Sequence, residues 1–250
     1  MAINVKSAPE IATMRQAGRI VALTLLELQE KIRPGVSTGQ LDEMAERLAV
    51  SMGSRPAFKG YRGFPASLCA SVNDEVVHGI PSPNRVLEDG DVVSLDFGVV
   101  YRGFVGDAAI TVGVGSIDPT AEHLLEDTRA ALHEGVRHAR AGGHLSDVSH
   151  AIERFAEERG YSVVRQYVGH GIGRRMHEDP QIPNFGPPHQ GPVLKPGMAL
   201  AIEPMLNVGE SETIVLPDNW TVVTRDGALS AHFEHTVIVT DGEPEIMTLP

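Results

Sequence analysis

The sequence predicts an α+β protein made of two similar halves, and two observations support this interpretation. Helical patterns precede strand-like runs, and this order occurs twice along the chain. A shift of 107 residues, without a gap, also places Gly35 on Gly142 and Asp96 on Glu203. Because one offset relates a helical region and a distant strand, we infer a duplicated half-domain with a pseudo-twofold axis. The alternative is a chance likeness between two common helix–helix–strand units.

The length and composition fit a folded protein with one large domain or two small ones. The chain has 250 residues, of which 42% are hydrophobic and 22% are charged, as in ordinary globular proteins. Because the repeat relates the two halves around one axis, we expect a single domain, residues 1–250, with halves at about 1–113 and 114–250.

Charge and cysteine content restrict the partners and the compartment. The net charge of −12 argues against a basic nucleic-acid surface and against binding to acidic membranes. The longest apolar stretches fall far below the roughly 20 residues that cross a bilayer, and no targeting segment is recognisable. The single cysteine, Cys69, cannot form an internal disulfide, which fits a reducing compartment. We expect a cytoplasmic monomer with no membrane and no sequence-specific nucleic-acid partner.

Helical patterns open the first half. Ser7 and Glu10 have the spacing of a capping box, and the apolar positions that follow predict a helix that ends at Arg33-Pro34-Gly35. A second helix is predicted from about Thr38, with Gly53 at its end.

Strand-like runs complete the first half. Residues 54–65 are rich in glycine, proline and aromatic residues and predict a loop. The runs Leu68–Val72, Val92–Val100 and Phe104–Val112 predict strands.

The same order returns in the second half. A helix begins at Asp118-Pro119 and is broken by Gly142-Gly143, and a further helix ends at Gly160. Strands follow again, and the last of them ends near Val237–Val239.

Each half carries an acidic residue within an apolar strand. Asp96 lies in VVSLDFGVV, and the repeat aligns it with Glu203 in ALAIEPML. Asp107 follows 11 residues after Asp96, and Gly103 lies near the midpoint. A hairpin turning there would place the two aspartates directly opposite each other, about 5 Å apart. Like charges at that distance predict a cation between them; the alternative, a solvated surface pair, is disfavoured by the apolar neighbours.

The second half repeats this arrangement. Glu203 and Glu234 are 31 residues apart, and the turn-forming pair Asp218-Asn219 lies midway. Glu234 belongs to ALSAHFEHTVIVT, which predicts one strand. Two related hairpins could therefore bring four carboxylates to the axis.

Three histidines lie in glycine-rich or turn-like segments rather than on helix faces. His170 and His177 belong to VGHGIGRRMHEDP, and His78 belongs to NDEVVHGIP. Four carboxylates and one imidazole suit hard or borderline divalent ions, and two such ions would neutralise the four charges. This donor set predicts metal-assisted hydrolysis of an acyl or phosphoryl bond.

Five segments of the sequence carry a resemblance to a known family. NDEVVHGIP, SLDFG followed by DAAITVGVG, GHGIGRRMHEDP, AIEPM and SAHFEHTVIVT together closely resemble the type I methionine aminopeptidases. They stand in the family's order and span nearly the whole chain. The sequence shows neither the type II insertion before AIEPM nor an N-terminal zinc-finger extension, so by this resemblance we expect the short bacterial form. The resemblance implies a pita-bread (creatinase/aminopeptidase) fold, a curved antiparallel sheet with outer helices and pseudo-twofold symmetry.

The resemblance also implies an activity and a set of functional residues. The implied activity is removal of the initiator methionine from nascent polypeptides, near the ribosome, when the second residue is small. A metal-activated hydroxide would attack the scissile carbonyl, and Glu203 would shuttle the proton. His177 would hydrogen-bond the carbonyl, and His78 would contact the substrate near the scissile amide. Two divalent ions (Mn, Fe, Co or Zn) would be bound, and Asp107 and Glu234 would bridge them. The five ligands would be Asp96, Asp107, His170, Glu203 and Glu234.

By family position, a further set of side chains would surround the substrate's methionine. Aromatic and sulfur groups contact a thioether favourably. The residues of this expected pocket are Phe58, Tyr61, Phe64, Cys69, Met176 and Trp220. Three positions depart from many family members: Phe58, Met176 and the neighbouring Arg62, and these departures affect the expected shape of the pocket rather than the reaction.

Three other functions compete with this interpretation. Proline-directed relatives, aminopeptidase P or prolidase, share the five ligands but usually carry a large N-terminal domain, for which the sequence has no room. A non-catalytic protein that binds nascent chains on the same fold would be expected to have lost ligands. A two-metal phosphohydrolase would need a basic cluster near the ligands, and only Arg174-Arg175 offers one.

Overall fold

The chain folds, in a computed structural model that describes residues 3–250, into helices that pack on antiparallel sheets. The first two residues of the expected domain lie outside this description. The helices are α1 (Ala8–Lys31), α2 (Thr38–Ser51), α3 (Pro119–His138) and α4 (Leu145–Glu157). The strands of the first half are β1 (Arg55–Pro56), β2 (Cys69–Val72), β3 (Glu75–Val77), β4 (Val92–Tyr101) and β5 (Phe104–Gly113). The strands of the second half are β6 (Ser162–Val163), β7 (Gly169–Gly171), β8 (Glu178–Ile182), β9 (Ala199–Ile202), β10 (Met205–Asn207), β11 (Thr213–Val215), β12 (Val222–Thr224), β13 (Ser230–His232), β14 (Glu234–Ile238) and β15 (Glu245–Ile246).

The helix boundaries follow the capping signals in the sequence. Glu10 accepts the backbone N–H of Ser7 at 2.9 Å, which closes the predicted capping box at the start of α1. Asp118 accepts the N–H groups of Thr120 and Ala121 at 2.7 and 3.0 Å and so caps α3. These bonds satisfy amides that the first helical turn leaves without partners, and the predicted starts are confirmed.

The strand predictions need three corrections. β2, β4 and β5 match the predicted runs within one residue. Residues 54–65 are not all loop, because Arg55 and Pro56 form the edge strand β1, which pairs with β4 at Val100 and Val99. Proline is tolerated at a sheet edge, where its missing N–H costs no bond. The segment around Glu234 forms two strands, because the backbone leaves the ladder at Phe233 and bonds Pro204 instead. The two-residue strand β15 pairs with β14 after the predicted last strand.

The main sheet is antiparallel and includes strands from both halves. Its order is β1-β4-β5-β14-β9-β7-β8, with β2 also on β4 and β15 on β14. Two three-stranded sheets, β13-β10-β6 and β11-β12-β3, complete the β structure of the described residues. The halves meet where β5 pairs with β14, so the functional residues of each half can reach a common centre.

The helices cover one face of the main sheet. Leu25 of α1 and Leu41 of α2 pack with Leu95 and Phe97 of β4 in one core cluster. In the second half, α3 and α4 pack in the same way on β9 and β14. Because side chains alternate along a strand, residues such as Asp96 point to the opposite face. Among the described residues, no helix combines the length and the apolar character that a membrane span requires.

The repeat inferred from the sequence is also present in the backbone contacts. The N–H of Gly35 donates to the carbonyl of Leu87 at 2.9 Å, and 107 residues later the N–H of Gly142 donates to Leu194 at 2.9 Å. The isolated bridges Ser37–Val86 and His144–Val193 are related by the same shift. The two halves therefore begin their helical units with the same loop contacts.

A buried ion pair joins the N-terminal segment to the second half. Lys6 Nζ lies 2.9 Å from Glu178 Oε2, and the two side chains are only 6% and 4% exposed. The other carboxylate oxygen accepts the backbone N–H groups of Arg174 and Arg175 at 2.9 and 3.2 Å. Glu178 thus holds the turn that precedes β8, and Lys6 balances its charge.

We expect the substitution Lys6→Met to lower the free energy of unfolding by about 3–5 kcal/mol, because it leaves the Glu178 carboxylate buried without a counterion. The matched control is Arg15→Met, which breaks an ion pair with Glu245 whose side chains are 47% and 38% exposed. That loss should stay below about 1 kcal/mol. Urea unfolding of the two variants measures the difference, and equal losses would contradict the importance of the buried pair.

Candidate active site

One cavity of about 150 Å³ brings together every candidate site residue named from the sequence. It lies on the face of the main sheet that the helices leave uncovered. The residues that line it are Phe58, Tyr61, Arg62, Phe64, Cys69, His78, Asp96, Asp107, His170, Met176, His177, Glu203, Trp220 and Glu234.

The prediction that Asp96 and Asp107 lie directly opposite each other is wrong by two residues of register. Asp107 pairs with Gly98, and Asp96 pairs with Ala109. The reason is the turn: Arg102 and Gly103 are its two central residues, with φ of 47° and 82°, as a type I′ hairpin turn requires. The turn therefore centres between these two residues rather than one residue earlier. The aspartates still share a face, because they are diagonal neighbours.

Small residues separate the carboxylates along two rows of the sheet. One row crosses the strands at Asp96, Ala109 and Glu234, in that order. The adjacent row contains Asp107 next to Gly98. A side chain at Gly98 would come within 3.1 Å of an Asp107 carboxylate oxygen. Glycine and alanine at these positions thus leave the space above the sheet to the acidic side chains.

The second pair of carboxylates occupies the predicted register. β9 pairs with β14 at Ile202 and His235, and β10 pairs with β13 at Met205 and His232 in the same register. That register sets Glu203 opposite Glu234, as expected from the sequence. His170 of β7 pairs with Ala201 of β9 and so adds an imidazole beside this pair.

Burial raises the pKa of each of the four carboxyl groups. The pKa of Asp96 rises to about 7 through desolvation. The pKa values of Asp107 and Glu203 rise well above their usual range, first because of burial and then because of the neighbouring carboxylates. Burial, followed by repulsion from Asp107, also raises the pKa of Glu234. The protein alone therefore does not stabilise four negative charges here.

The donor set fits divalent cations. Oδ1 of Asp96, Oδ1 of Asp107 and Oε1 of Glu234 are buried without a hydrogen-bond partner, which is costly for a carboxylate unless a cation contacts it. Ligand atoms of Asp107, His170 and Glu234 all lie within 4.8 Å of one another. This triad is smaller than the five-residue set predicted from the sequence, and Asp96 and Glu203 lie on the same cavity wall around it.

His170 is oriented as a ligand should be. Its Nδ1 donates a hydrogen bond of 2.9 Å to the carbonyl of Gly171, so Nε2 carries no proton and can bind a cation. Nε2 lies 3.6 Å from Oε1 of Glu203. Burial, together with the nearby His177, lowers the pKa of His170 to about 3, and the ring is therefore neutral at physiological pH.

The two other histidines stand against aromatic rings. Tyr61 Oη lies 2.9 Å from Nδ1 of His177, and their rings stack at 5.5 Å. His78 packs edge-on against Tyr167 at 5.5 Å. Burial lowers the pKa of both histidines, to about 4 for His78, so both can act as neutral hydrogen-bonding groups.

An apolar wall completes the cavity. Phe64 and Trp220 meet edge-to-face at 5.1 Å. The Cε1 atom of the Phe58 ring and the methyl group of Met176 both close over Gly98, within 3.0 Å of where a Cβ would stand. Burial beside Asp96 raises the pKa of the Cys69 thiol well above its usual value. Cys69 therefore contributes to this wall as a neutral sulfur group.

Several residues that have no role predicted from the sequence support the site. The Thr236 hydroxyl bonds both the N–H and the carbonyl of Asp107, at 3.1 and 2.8 Å. Asn184 donates to the Glu203 carbonyl at 3.0 Å, and His232 Nε2 lies 3.9 Å from Glu203 Oε2. Strand alternation from Glu234 could have found Thr236 and His232, whereas Asn184 comes from a loop with no local signal.

Arg62 is the one lysine or arginine among the cavity-lining residues of the described chain. Arg174 and Arg175 lie elsewhere, and Arg174 pairs with Glu10 at 3.1 Å. The basic cluster that a phosphohydrolase would need is therefore missing around these carboxylates.

Comparison with known proteins gives the family. The model of metallopeptidase family M24 matches residues 12–241. Methionine aminopeptidase 1 of Bacillus subtilis is 53% identical over 243 residues, which cover 97% of this chain and 98% of that protein.

Solved structures agree. The crystal structure of methionine aminopeptidase from Thermotoga maritima superimposes with a TM-score of 0.98 at 44% identity and covers 100% of both chains. The prolidase from Pyrococcus furiosus, at 23% identity and a TM-score of 0.81, shares the pita-bread fold, but the match covers only 65% of that chain. The chain therefore belongs to metallopeptidase family M24, and within that family to the methionine aminopeptidases.

Proposed function

We propose that this protein is a dinuclear metal-dependent aminopeptidase that removes the N-terminal methionine from polypeptides with a small second residue. The observation that carries the proposal is the cavity itself, in which buried carboxylates with unpartnered oxygens lie beneath an apolar wall of aromatic and sulfur groups. The first part suits a cation-assisted hydrolysis, and the second suits a thioether side chain.

Five residues would hold two divalent ions, of manganese, iron, cobalt or zinc. Asp107 and Glu234 would bridge the ions, a role supported by the closeness of their ligand atoms, which lie within 4.8 Å of each other and of one from His170. When bound, such ions lower the pKa of a coordinated water and stabilise negative charge on the reacting oxygen. The proposed ligands are Asp96, Asp107, His170, Glu203 and Glu234.

The protein's own groups would orient the peptide and move the proton. Glu203 would accept a proton from the attacking water and deliver it to the leaving amine, as a carboxylate at the reacting centre can. His177 would donate a hydrogen bond to the scissile carbonyl, where negative charge develops. His78, neutral because burial lowers its pKa to about 4, would contact the scissile amide.

The wall of the cavity would select methionine. Its aromatic and sulfur groups offer a thioether favourable contacts, and a cavity of about 150 Å³ leaves little room for a large second residue. The proposed contact residues, besides His78 and His177, are Phe58, Tyr61, Phe64, Cys69, Met176 and Trp220.

We also propose a setting for this activity. The pairing of β5 with β14 across the halves supports one catalytic domain of two related units, about 1–113 and 114–250. The free thiol of Cys69 is consistent with a reducing cytoplasm. There a monomer acting near the ribosome would meet nascent chains as their N-termini emerge.

We expect the protein, stripped by a chelator and reloaded with Mn²⁺ or Co²⁺, to release methionine from Met-Ala-Ser but not from Met-Lys-Ser. Liquid chromatography of free methionine measures this preference. Cleavage of Ala-Pro-Ser instead would assign the site to proline-directed hydrolysis. No cleavage with metal demonstrably bound would favour a non-catalytic protein that binds nascent chains.

Two isosteric substitutions should abolish turnover for different reasons. Asp107→Asn removes a proposed bridging charge, so metal affinity should fall by more than about 100-fold. Loss of a residue that only hydrogen-bonds a metal ligand costs up to about 100-fold, and Asp107 would itself be a ligand. Glu203→Gln should retain part of the metal but lose about 10²–10⁴-fold in kcat, because the amide cannot carry the proton. Metal titration and steady-state kinetics separate the two effects. The exposed Asp241→Asn is the control, and a fully active Glu203→Gln enzyme would remove Glu203 from proton transfer.

Metal removal should destabilise the protein most at high pH. Burial raises the pKa of Asp96 to about 7 in the folded chain, while an exposed aspartate titrates near 3.9. Between these values the folded, metal-free protein binds more protons than the unfolded chain, so its stability falls as the pH rises. The expected loss from pH 4 to pH 8 is on the order of 4 kcal/mol. Urea unfolding checks this, and the loss should shrink in Asp96→Asn and in the Mn²⁺-loaded protein; a pH-independent metal-free protein would contradict it.

A further inference from the structure

Tyr61 contacts His177 through both its hydroxyl group and its ring. The hydroxyl oxygen lies 2.9 Å from Nδ1, a normal hydrogen-bond length. The two rings are nearly parallel, with an angle of 17° and centroids 5.5 Å apart. These contacts point to a second task for Tyr61, beyond its proposed contact with the methionine side chain.

The chemistry of the proposed reaction decides the direction of this hydrogen bond. A neutral imidazole has one nitrogen that donates and one that accepts. The carbonyl oxygen that His177 would contact can only accept, so Nε2 of His177 must carry the hydrogen. Nδ1 is then the acceptor, and the Tyr61 hydroxyl is the donor.

The backbone holds Tyr61 in place for this contact. Tyr61 begins a tight 3₁₀ turn in which its own N–H donates to the Phe58 carbonyl at 2.8 Å and the Phe64 N–H donates to the Tyr61 carbonyl at 3.0 Å. A further bond of 2.8 Å joins the N–H of Gly60 to the carbonyl of Phe64. The closed turn fixes the Tyr61 backbone beside the cavity, so the point from which its side chain reaches His177 is fixed as well.

Other contacts restrain His177 without selecting its tautomer. The neighbouring residue Glu178 anchors the backbone through Lys6. The His170 ring lies 4.3 Å from the His177 ring on centroids, but Nδ1 of His170 already donates to Gly171. Tyr61 therefore supplies the contact that distinguishes one ring nitrogen of His177 from the other.

We propose that Tyr61 is a positioning residue that donates a hydrogen bond to Nδ1 of His177 and so holds this histidine as the Nε2–H tautomer that faces the substrate carbonyl. This inference rests on the proposed role of His177 in peptide hydrolysis. It assigns to Tyr61 an effect on the chemical step, in addition to any contact with the methionine side chain.

The test combines kinetics with nuclear magnetic resonance of the histidine ring nitrogens. Tyr61→Phe keeps the stacked ring and removes only the hydroxyl group. We expect kcat for Met-Ala-Ser to fall by about 10- to 100-fold, by analogy with the loss of a partner that orients a metal-binding histidine, with little change in KM. In the ¹⁵N-labelled, Zn²⁺-loaded protein, the His177 signals should show an unprotonated Nδ1, and Tyr61→Phe should shift them towards a mixture of tautomers. The signals are assigned by their loss in His177→Gln.

A matched control makes the same chemical change elsewhere. Tyr161→Phe removes the hydroxyl group of a half-buried tyrosine outside the cavity, and it should change neither kcat nor the His177 signals. Wild-type kinetics and unchanged His177 signals in Tyr61→Phe would overturn the proposal, and so would a protonated Nδ1 in the unsubstituted protein. If the unsubstituted protein bound metal but cleaved no peptide, the proposed function would fail, while the resonance signals would still decide whether Tyr61 selects the tautomer.

Discussion

The burial of four carboxylates on one face of a sheet is the constraint on which the rest of the structure depends. Each group lies in a desolvated position where its charged form is disfavoured, and three of them have oxygens with no hydrogen-bond partner. Such an arrangement is unfavourable for the protein alone. It becomes favourable when divalent cations neutralise the charges, so the stability of the folded chain and the chemistry of the site depend on the same interaction.

The antiparallel sheet makes this concentration of charge geometrically possible. Alternation sends Leu95 and Phe97 to the helices and sends Asp96 to the cavity, so one strand serves both the core and the site. Alanine and glycine between the acidic residues provide the space that the carboxylates and a cation require. The duplication then contributes one pair of carboxylates from each half, and the pairing of β5 with β14 joins the two pairs. Ladder hydrogen bonds hold these positions more tightly than loops could.

The histidines and the apolar wall surround the four carboxylates with neutral groups. Burial keeps His78 and His170 uncharged, so they add hydrogen-bonding capacity without adding positive charge that would compete with a metal. His177 is held from two directions, at its ring by Tyr61 and at its neighbouring residue by the buried pair of Glu178 with Lys6. The aromatic wall lines the same space, and electrostatic interactions are stronger beside apolar groups than in bulk water.

Local signals in the sequence determined the helix ends, the main strands and the face on which each acidic residue lies. Capping residues such as Ser7 and Asp118 act within one turn, and strand alternation acts over two residues, so both can be recognised from the chain alone. The 107-residue repeat likewise related the two halves before any contact was known.

Only the tertiary structure decided which of these residues touch. The turn at Arg102 and Gly103 set the hairpin register and moved Asp107 opposite Gly98, because both residues adopt positive φ and composition alone does not reveal that conformation. The contacts of Tyr61 with His177 and of Asn184 with Glu203 join segments that are distant along the chain. No local pattern specifies such contacts, since they arise only when the sheet and its loops pack together.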